Sequence, residues 1–233
     1  MKTSAQEHTA QHLARLSRLD ACAVSDALDK LGLSGAVSGL RQLSSQRRIS
    51  GRVVTVKLVA AGGAPRTPGM PVRHLGTTAI DEADPGDIVV IEQRTGIDAG
   101  SWGGILSLGA KLRGVAGVIA DGPVRDIDEA RQYDLPIFAR ATTAFTARGR
   151  VVEAGTDVPV TIGSVTVEAG DFAIADGSGV VFIGQADIGR VLDAAERIAT
   201  LEAVMAKALL AGSRSAEVMG ANYENMLGKE PRS

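Results

Sequence analysis

The chain has 233 residues, of which 45% are hydrophobic and 22% charged, with a net charge of −2 at neutral pH. That length suits one sizeable domain, and that balance belongs to an ordinary globular protein. The near-neutral charge gives no reason to expect nucleic acid or an anionic membrane as a partner, and no apolar run reaches the ~18 residues of a membrane span.

Taken in chain order, Leu13, Leu16 and Leu19, then Val24, Ala27, Leu28 and Leu31, recur at helical spacing. They predict one helical stretch over residues 8–31, ended by Gly32 and Gly35. GRVVTVKLVA, 51–60, alternates and is β-branched, which predicts a strand. AAGGAPRTPGMP reads as loop and 71–82 as a short helix. Asp84-Pro85-Gly86-Asp87 is a turn ahead of the strand DIVVIE. The next helix is expected to open near Ser101, with that serine as its cap, and to stop before Gly114. VAGVIA, 115–120, reads as a buried strand that runs into a turn at Asp121-Gly122-Pro123. Short strands are expected at 136–139, 151–153, 158–162, 164–168, 171–175 and 179–183, and a long helix over 187–211. Helices around a β-rich middle give an α/β class. No linker interrupts the chain, so residues 1–220 are expected to form a single domain and 221–233 a loose C-terminal tail.

Residue counts narrow the chemistry. Cys22 is the only cysteine, so intrachain disulfides are excluded and thiolate metal clusters nearly so. The three histidines are His8, His12 and His74. A His-rich zinc site or a Ser-His-Asp triad would have to recruit His74, for which no nucleophile elbow is in view. Neither a P-loop nor a G-x-G-x-x-G follows a strand, which leaves nucleotide cofactors unsupported. A metal here would be a hard ion held by carboxylates and water. The N-terminal MKTSAQEHTAQHLARL has no apolar signal core, and the setting reads as cytoplasmic.

Two segments can carry chemistry. Asp121-Gly122-Pro123-Val124-Arg125-Asp126 follows a buried strand, and strand exits are where α/β proteins bind ligands. Arg125 offers a planar fork for a carboxylate or enolate, and Asp126 a hard oxygen for Mg²⁺ or Mn²⁺. A plain turn with an intrachain ion pair would use the same residues. Upstream lies Ser101-Trp102-Gly103-Gly104-Ile105-Leu106, where first-turn N–H groups have no intrahelical acceptor and two glycines leave the backbone open to a small anion. Close packing against a neighbouring strand would also explain those glycines.

The stretch WGGILSLGAKLRGVAGVIADGPVRDID closely resembles the signature of the 4-hydroxy-4-methyl-2-oxoglutarate aldolase family, whose fold is shared by the regulator-of-ribonuclease-activity-A (RraA-like) proteins. VSDALDKLGLSG and DFAIADGSGVVFI resemble other parts of that family, so the likeness spans about residues 20–215. The resemblance implies a layered α/β/β swivelling-domain fold, assembled as homotrimers or trimer-based hexamers. It also implies a class II pyruvate aldolase acting on a small 2-oxo acid with a divalent cation, Mg²⁺ or Mn²⁺, and oxaloacetate decarboxylase activity through the same enolate. In these terms Arg125 binds the pyruvoyl moiety, Asp126 coordinates the metal, and the backbone of Gly103, Gly104, Ile105 and Leu106 holds the carboxylate. Glu202 matches a C-terminal helix glutamate that completes the metal's water shell from a neighbouring subunit. One departure stands out: the family often has an acidic residue where this chain has Gly104. With no histidine in the motif, the base is expected to be water. A Schiff-base route would need Lys57 or Lys111, neither of which lies in the signature. The competing reading is a non-catalytic regulator of a ribonuclease assembly. Such a protein need not keep a carboxylate after the motif arginine, and this chain keeps Asp126.

Overall fold

Strand β3 (Ile49–Ala60) organises the molecule, because it pairs in turn with three others along its length. The computed structural model describes residues 4–62 and 74–220. Two helices, α1 (Ser4–Leu16) and α2 (Ala21–Leu31), and two short strands, β1 (Ala36–Val37) and β2 (Arg41–Gln42), come before it. After it come α3 (Thr77–Glu82), β4 (Ile88–Glu92), α4 (Gly104–Arg113), β5 (Gly117–Val124), α5 (Ile127–Gln132) and β6 (Ile137–Thr142). A run of strands follows: β7 (Val151–Thr156), β8 (Val160–Ile162), β9 (Val165–Val167), β10 (Phe172–Asp176) and β11 (Gly179–Ile183). Helices α6 (Ile188–Leu210) and α7 (Ser215–Val218) close the described chain.

The sheet runs β1-β11-β10-β3-β4-β5-β6-β2, with β7 also on β3 and β8-β9 a separate hairpin. The pairs β3-β4, β4-β5 and β5-β6 are parallel; the others are antiparallel. Alternation of side chains along the parallel strands feeds two cores. Val89, Ile91, Val118 and Ala120 face the layer of α3 to α5 with Trp102, Leu106 and Ala110. Ile88, Val90 and Ile119 face Val160, Ile162, Val165 and Val167 of the hairpin and Ala173, Val180 and Phe182 of β10-β11. The opposite face of β10-β11, with Ile174, Val181 and Ile183, packs on α1, α2 and α6. Burial on both faces is why β4 and β5 are near-continuous Val/Ile runs. This is the expected single-domain layered α/β/β arrangement.

Four sequence expectations change. The stretch 8–31 is two helices, because Asp20 adopts extended backbone and its carboxylate caps α2 by accepting Ala23 N–H at 2.8 Å. Of the described part of 71–82, residues 74–82, only Thr77–Glu82 is helical, and residues 63–73, with most of the expected loop, lie outside the described residues. Ser101 is not the cap of α4: Gly103 holds that position, and Ser101 Oγ donates to the Pro123 carbonyl. Asp121-Gly122-Pro123 is not a turn but the continuation of β5, carried past a register shift between Ala120 and Pro123. The expected tail after 220 lies outside the described residues. Among the described residues, no helix is long and apolar enough to cross a membrane.

Candidate active site at the end of strand β5

The far end of β5 is held on three sides by backbone. Ser101 N and Oγ both donate to Pro123 O at 2.8 Å, and Arg125 N donates to Trp102 O at 2.9 Å. On the other edge Thr143 N donates to Val124 O at 2.9 Å. Trp102, 1% exposed, gives its Nε1–H to Ser107 Oγ at 3.0 Å and pins the opening of α4 to the core. Asp121, buried within the register shift, accepts from Arg140 Nε and Gly163 N–H, both at 2.6 Å. That carboxylate therefore ties β5 to β6 and to the β8-β9 turn.

Arg125 and Asp126 emerge from this frame about one-third exposed, at 35% and 32% of their side chains. Asp126 has φ 56° in the left-handed region, a conformation that costs an L-residue roughly 1–2 kcal/mol. It stands before α5 without capping it. Its Oδ2 instead accepts Gly104 N–H of α4 at 3.0 Å, and both its oxygens lie 3.2 Å from Arg125 Nε. The pairing occupies one edge of the guanidinium and leaves both Nη groups without a protein acceptor among the described residues.

The first bond of the α4 ladder runs from Ser107 N to Gly103 O at 3.0 Å, so the N–H groups of Gly104, Ile105 and Leu106 precede it. Asp126 takes the first of these, which leaves Ile105 and Leu106 to an incoming anion, aided by the helix dipole. The glycines before and within this turn are required by close approach. A Cβ on Gly100 would meet Arg125 Cγ at 2.8 Å, and one on Gly103 would meet Asp126 Oδ2 at 2.8 Å. A Cβ on Gly104 would fall on Glu129 Oε2. The sequence points to Gly103, Gly104, Ile105, Leu106, Arg125 and Asp126 as one cluster, and the fold brings these six together.

Glu202 belongs elsewhere. It lies on α6, which packs on α1, α2 and α7, whereas α4 packs on α3 and α5. Its side chain is exposed, and partial desolvation, then Asp20 and Asp26, both of its own sign, raise its carboxyl from the ordinary value. Asp26 is raised likewise, by burial and by Asp29 and Asp20. Lys57 pairs with Glu92 at 3.4 Å and Lys111 donates to Asp134 O at 3.1 Å. His12 rests edge-on against Phe172. An open cleft of about 560 Å³, lined by Gln93, Arg94, Asp121, Pro123 and Arg140, opens at the same carboxyl end of the parallel strands.

Among the described residues no three His, Cys, Asp or Glu side chains gather as a cage for a metal. The donor set does suit a hard ion that keeps most of its water and needs only one or two carboxylates. Asp126 offers such a carboxylate, already turned toward open amides.

The family model RraA-like (Aldolase/RraA) matches residues 21–182. The chain belongs to the RraA-like family. A relative from Halalkalibacterium halodurans, "Putative 4-hydroxy-4-methyl-2-oxoglutarate aldolase", is 31% identical over 175 residues, 75% of this chain and 77% of that protein. Protein DlpA of Legionella pneumophila is 27% identical over 201 residues, 86% of this chain, which spans only 32% of that longer protein. Among solved structures, an uncharacterized protein from Pseudomonas syringae superposes with a TM-score of 0.79 at 27% identity, covering 91% of this chain and 98% of that one. RraAS2 of Streptomyces coelicolor, titled an unusual member of the RNase ES inhibitor RraA protein family, superposes at 0.73 over 83% of this chain and 94% of its own. At 23% identity that second likeness speaks for the RraA-like fold alone.

Three placements escape a reading of the sequence: Glu129 against Gly104, Asp121 in its structural role and, in the other layer, Asp26 near Glu202. The acidic spacing of Asp126, Asp128 and Glu129 is visible in the chain, but only the packing of α5 on α4 distinguishes the last of them.

Proposed function

We propose that the chain is a divalent-metal-dependent carbon–carbon lyase that releases pyruvate from a 4-hydroxy-2-oxo acid and decarboxylates oxaloacetate through the same enolate. The observation that carries this reading is Asp126. It holds a left-handed backbone, leaves its own helix uncapped, and presents its carboxylate between Arg125 and the first turn of α4. A left-handed residue placed where charged groups and open amides converge supports a binding centre there.

The N–H groups of Ile105 and Leu106 would receive the substrate carboxylate, and the free edge of Arg125 the 2-oxo oxygen. As the C3–C4 bond breaks, its electron pair moves into the pyruvate enolate, the C4 hydroxyl proton passes to water, and C4 becomes a carbonyl. Arg125 then faces the growing negative charge in a site that is already organised, where such contacts count most. Water returns a proton to C3. With oxaloacetate the same bond breaks and carbon dioxide leaves, without a hydroxyl proton to remove. A Mg²⁺ or Mn²⁺ ion, when bound, supplies polarisation of the 2-oxo carbonyl. Asp126 would hold it, and Glu202 of the partner subunit would reach its water shell in a homotrimer or hexamer.

Pyruvate release from a panel of 4-hydroxy-2-oxo acids and from oxaloacetate, with and without Mg²⁺, tests the proposal. Release that disappears in EDTA and returns with Mg²⁺ is the expected result. Full activity in excess EDTA would sink the metal requirement. No release from any acid, together with binding to a ribonuclease assembly, would favour the regulator reading.

A further inference from the structure

The open cleft of about 560 Å³ at the carboxyl end of the parallel strands gathers charge of its own. Such strand ends are where open α/β sheets bind ligands. Its centre is Asp121, whose side chain is 6% exposed and stands between two arginines. Arg140 Nε donates to Asp121 Oδ1, and the N–H of Gly163 donates to Oδ2, both at 2.6 Å. Arg94 Nε lies 3.6 Å from that Oδ2, too far for a hydrogen bond. One carboxylate therefore faces two guanidiniums, and this trio carries a surplus positive charge. Arg140 Nη1 donates to Ser38 O, which leaves Nη2 without a protein acceptor among the described residues. Arg94 donates no hydrogen bond among the described residues. The rim is built in advance: buried Gln93 donates Nε2 to Ile97 O at 3.0 Å and to Ala99 O at 3.1 Å. Those two bonds close the loop that carries Arg94 and Asp98. Asp98, exposed, is the other charged side chain lining the cleft.

We infer that this cleft is a second ligand site, for a small monocarboxylate with a hydrogen-bond donor, hydroxyl or ammonium, on the adjacent carbon. The carboxylate lies across Arg94 and Arg140, whose planar forks match it and whose surplus charge it neutralises. The neighbouring donor is directed to Asp98. A second carboxylate on the ligand would meet Asp98 instead, and that repulsion selects against dicarboxylates. The closed loop lowers the ordering cost of binding, because Gln93 already holds it. The site uses none of the α4 amides, nor Arg125 or Asp126, so the inference does not rest on the lyase reading.

The test is titration calorimetry of the full chain in EDTA with four acids: glycerate, serine, propionate and malate. Glycerate or serine should bind most tightly, and the tighter of the two names the donor as hydroxyl or ammonium. Propionate lacks the donor and malate adds a carboxylate, so both should bind more weakly. Arg94→Gln should weaken binding by at least about tenfold, the loss of one charge-assisted contact. It should unfold at the wild-type temperature, because Asp121 keeps its bonds from Arg140 and Gly163. Asp98→Asn should bring malate closer to glycerate. Wild-type affinity in Arg94→Gln overturns the inference, as does a wild-type preference for malate or propionate. So does binding that is lost in Arg125→Gln and kept in Arg94→Gln, which would put the ligand at the end of β5. Failure of all four acids to bind the wild type more tightly than about 10 mM overturns it as well.

Discussion

The end of β5 and the second half of α6 both carry acidic residues that the proposed function assigns to one site, yet they are built in opposite ways. Asp126 is fixed from within its own chain by an amide, a guanidinium and a strand end stitched on both edges. Glu202 is exposed and has Asp20 and Asp26 as its charged neighbours, and partial desolvation without a counter-charge pushes its carboxyl upward. The first half of α6 is core, through Ile188, Val191, Leu192 and Ile198, but beyond it Val204 is 58% and Leu210 89% exposed. On the other layer Ile105, beside the open amides of α4, is 81% exposed. One region is held by contacts within its own chain; the other leaves apolar side chains exposed beside like charges. Apolar surface left beside an uncompensated carboxylate fits the subunit contact proposed above, in which α6 of one copy completes the β5 end of another.

The largest expected effect separates the two regions. Asp126→Asn should keep the fold, since Asn tolerates a left-handed backbone, and should remove Mg²⁺-dependent pyruvate release. Circular dichroism and a coupled pyruvate assay check both halves. Next, Gly100→Ala places a methyl 2.8 Å from Arg125 Cγ and should displace the guanidinium. A misplacement of about 1 Å can cost about 10²-fold in kcat/KM. Unchanged kinetics in a folded Gly100→Ala protein would mean that the position of Arg125 does not matter. Arg125→Lys keeps the charge but loses the fork. A charge-assisted contact worth about 1.5–3 kcal/mol corresponds to roughly 10–100-fold in rate, read as kcat/KM.

The smallest effect concerns pH. Because partial desolvation and like charges raise the carboxyl of the exposed Glu202 in the folded state, its ionisation removes a little stability as pH rises through the carboxylate range. In metal-free protein, Glu202→Gln should therefore raise Tm modestly at about pH 7. It should give no gain at about pH 3, below both folded and unfolded values. A variant less stable at neutral pH would show that Glu202 already has a favourable partner.

Much of this was legible in the sequence, for identifiable reasons. The Val/Ile runs of β4 and β5 announce strands because both faces are buried, and Arg125-Asp126 stands out as charge directly after such a run. The gap between α1 and α2 was hidden because Leu16 and Leu19 keep helical spacing across it, while the break depends on one capping carboxylate. Ser101 looked like a cap, but its hydroxyl finds the Pro123 carbonyl of a strand 22 residues away, which local spacing cannot reveal. Strands β1 and β2 are two residues each, too short for any period. The place of Glu129 beside Gly104 was invisible because it arises from α5 packing on α4.

In the proposed enzyme two half-sites meet across a subunit boundary, and complementation tests that most directly. Asp126→Asn and Glu202→Gln should each be inactive or strongly impaired alone. Mixed under conditions of subunit exchange, they should regain part of the Mg²⁺-dependent pyruvate release, because some boundaries then join an intact Asp126 to an intact Glu202. Exchange demonstrated by mass, with no recovery of activity, would contradict a shared site.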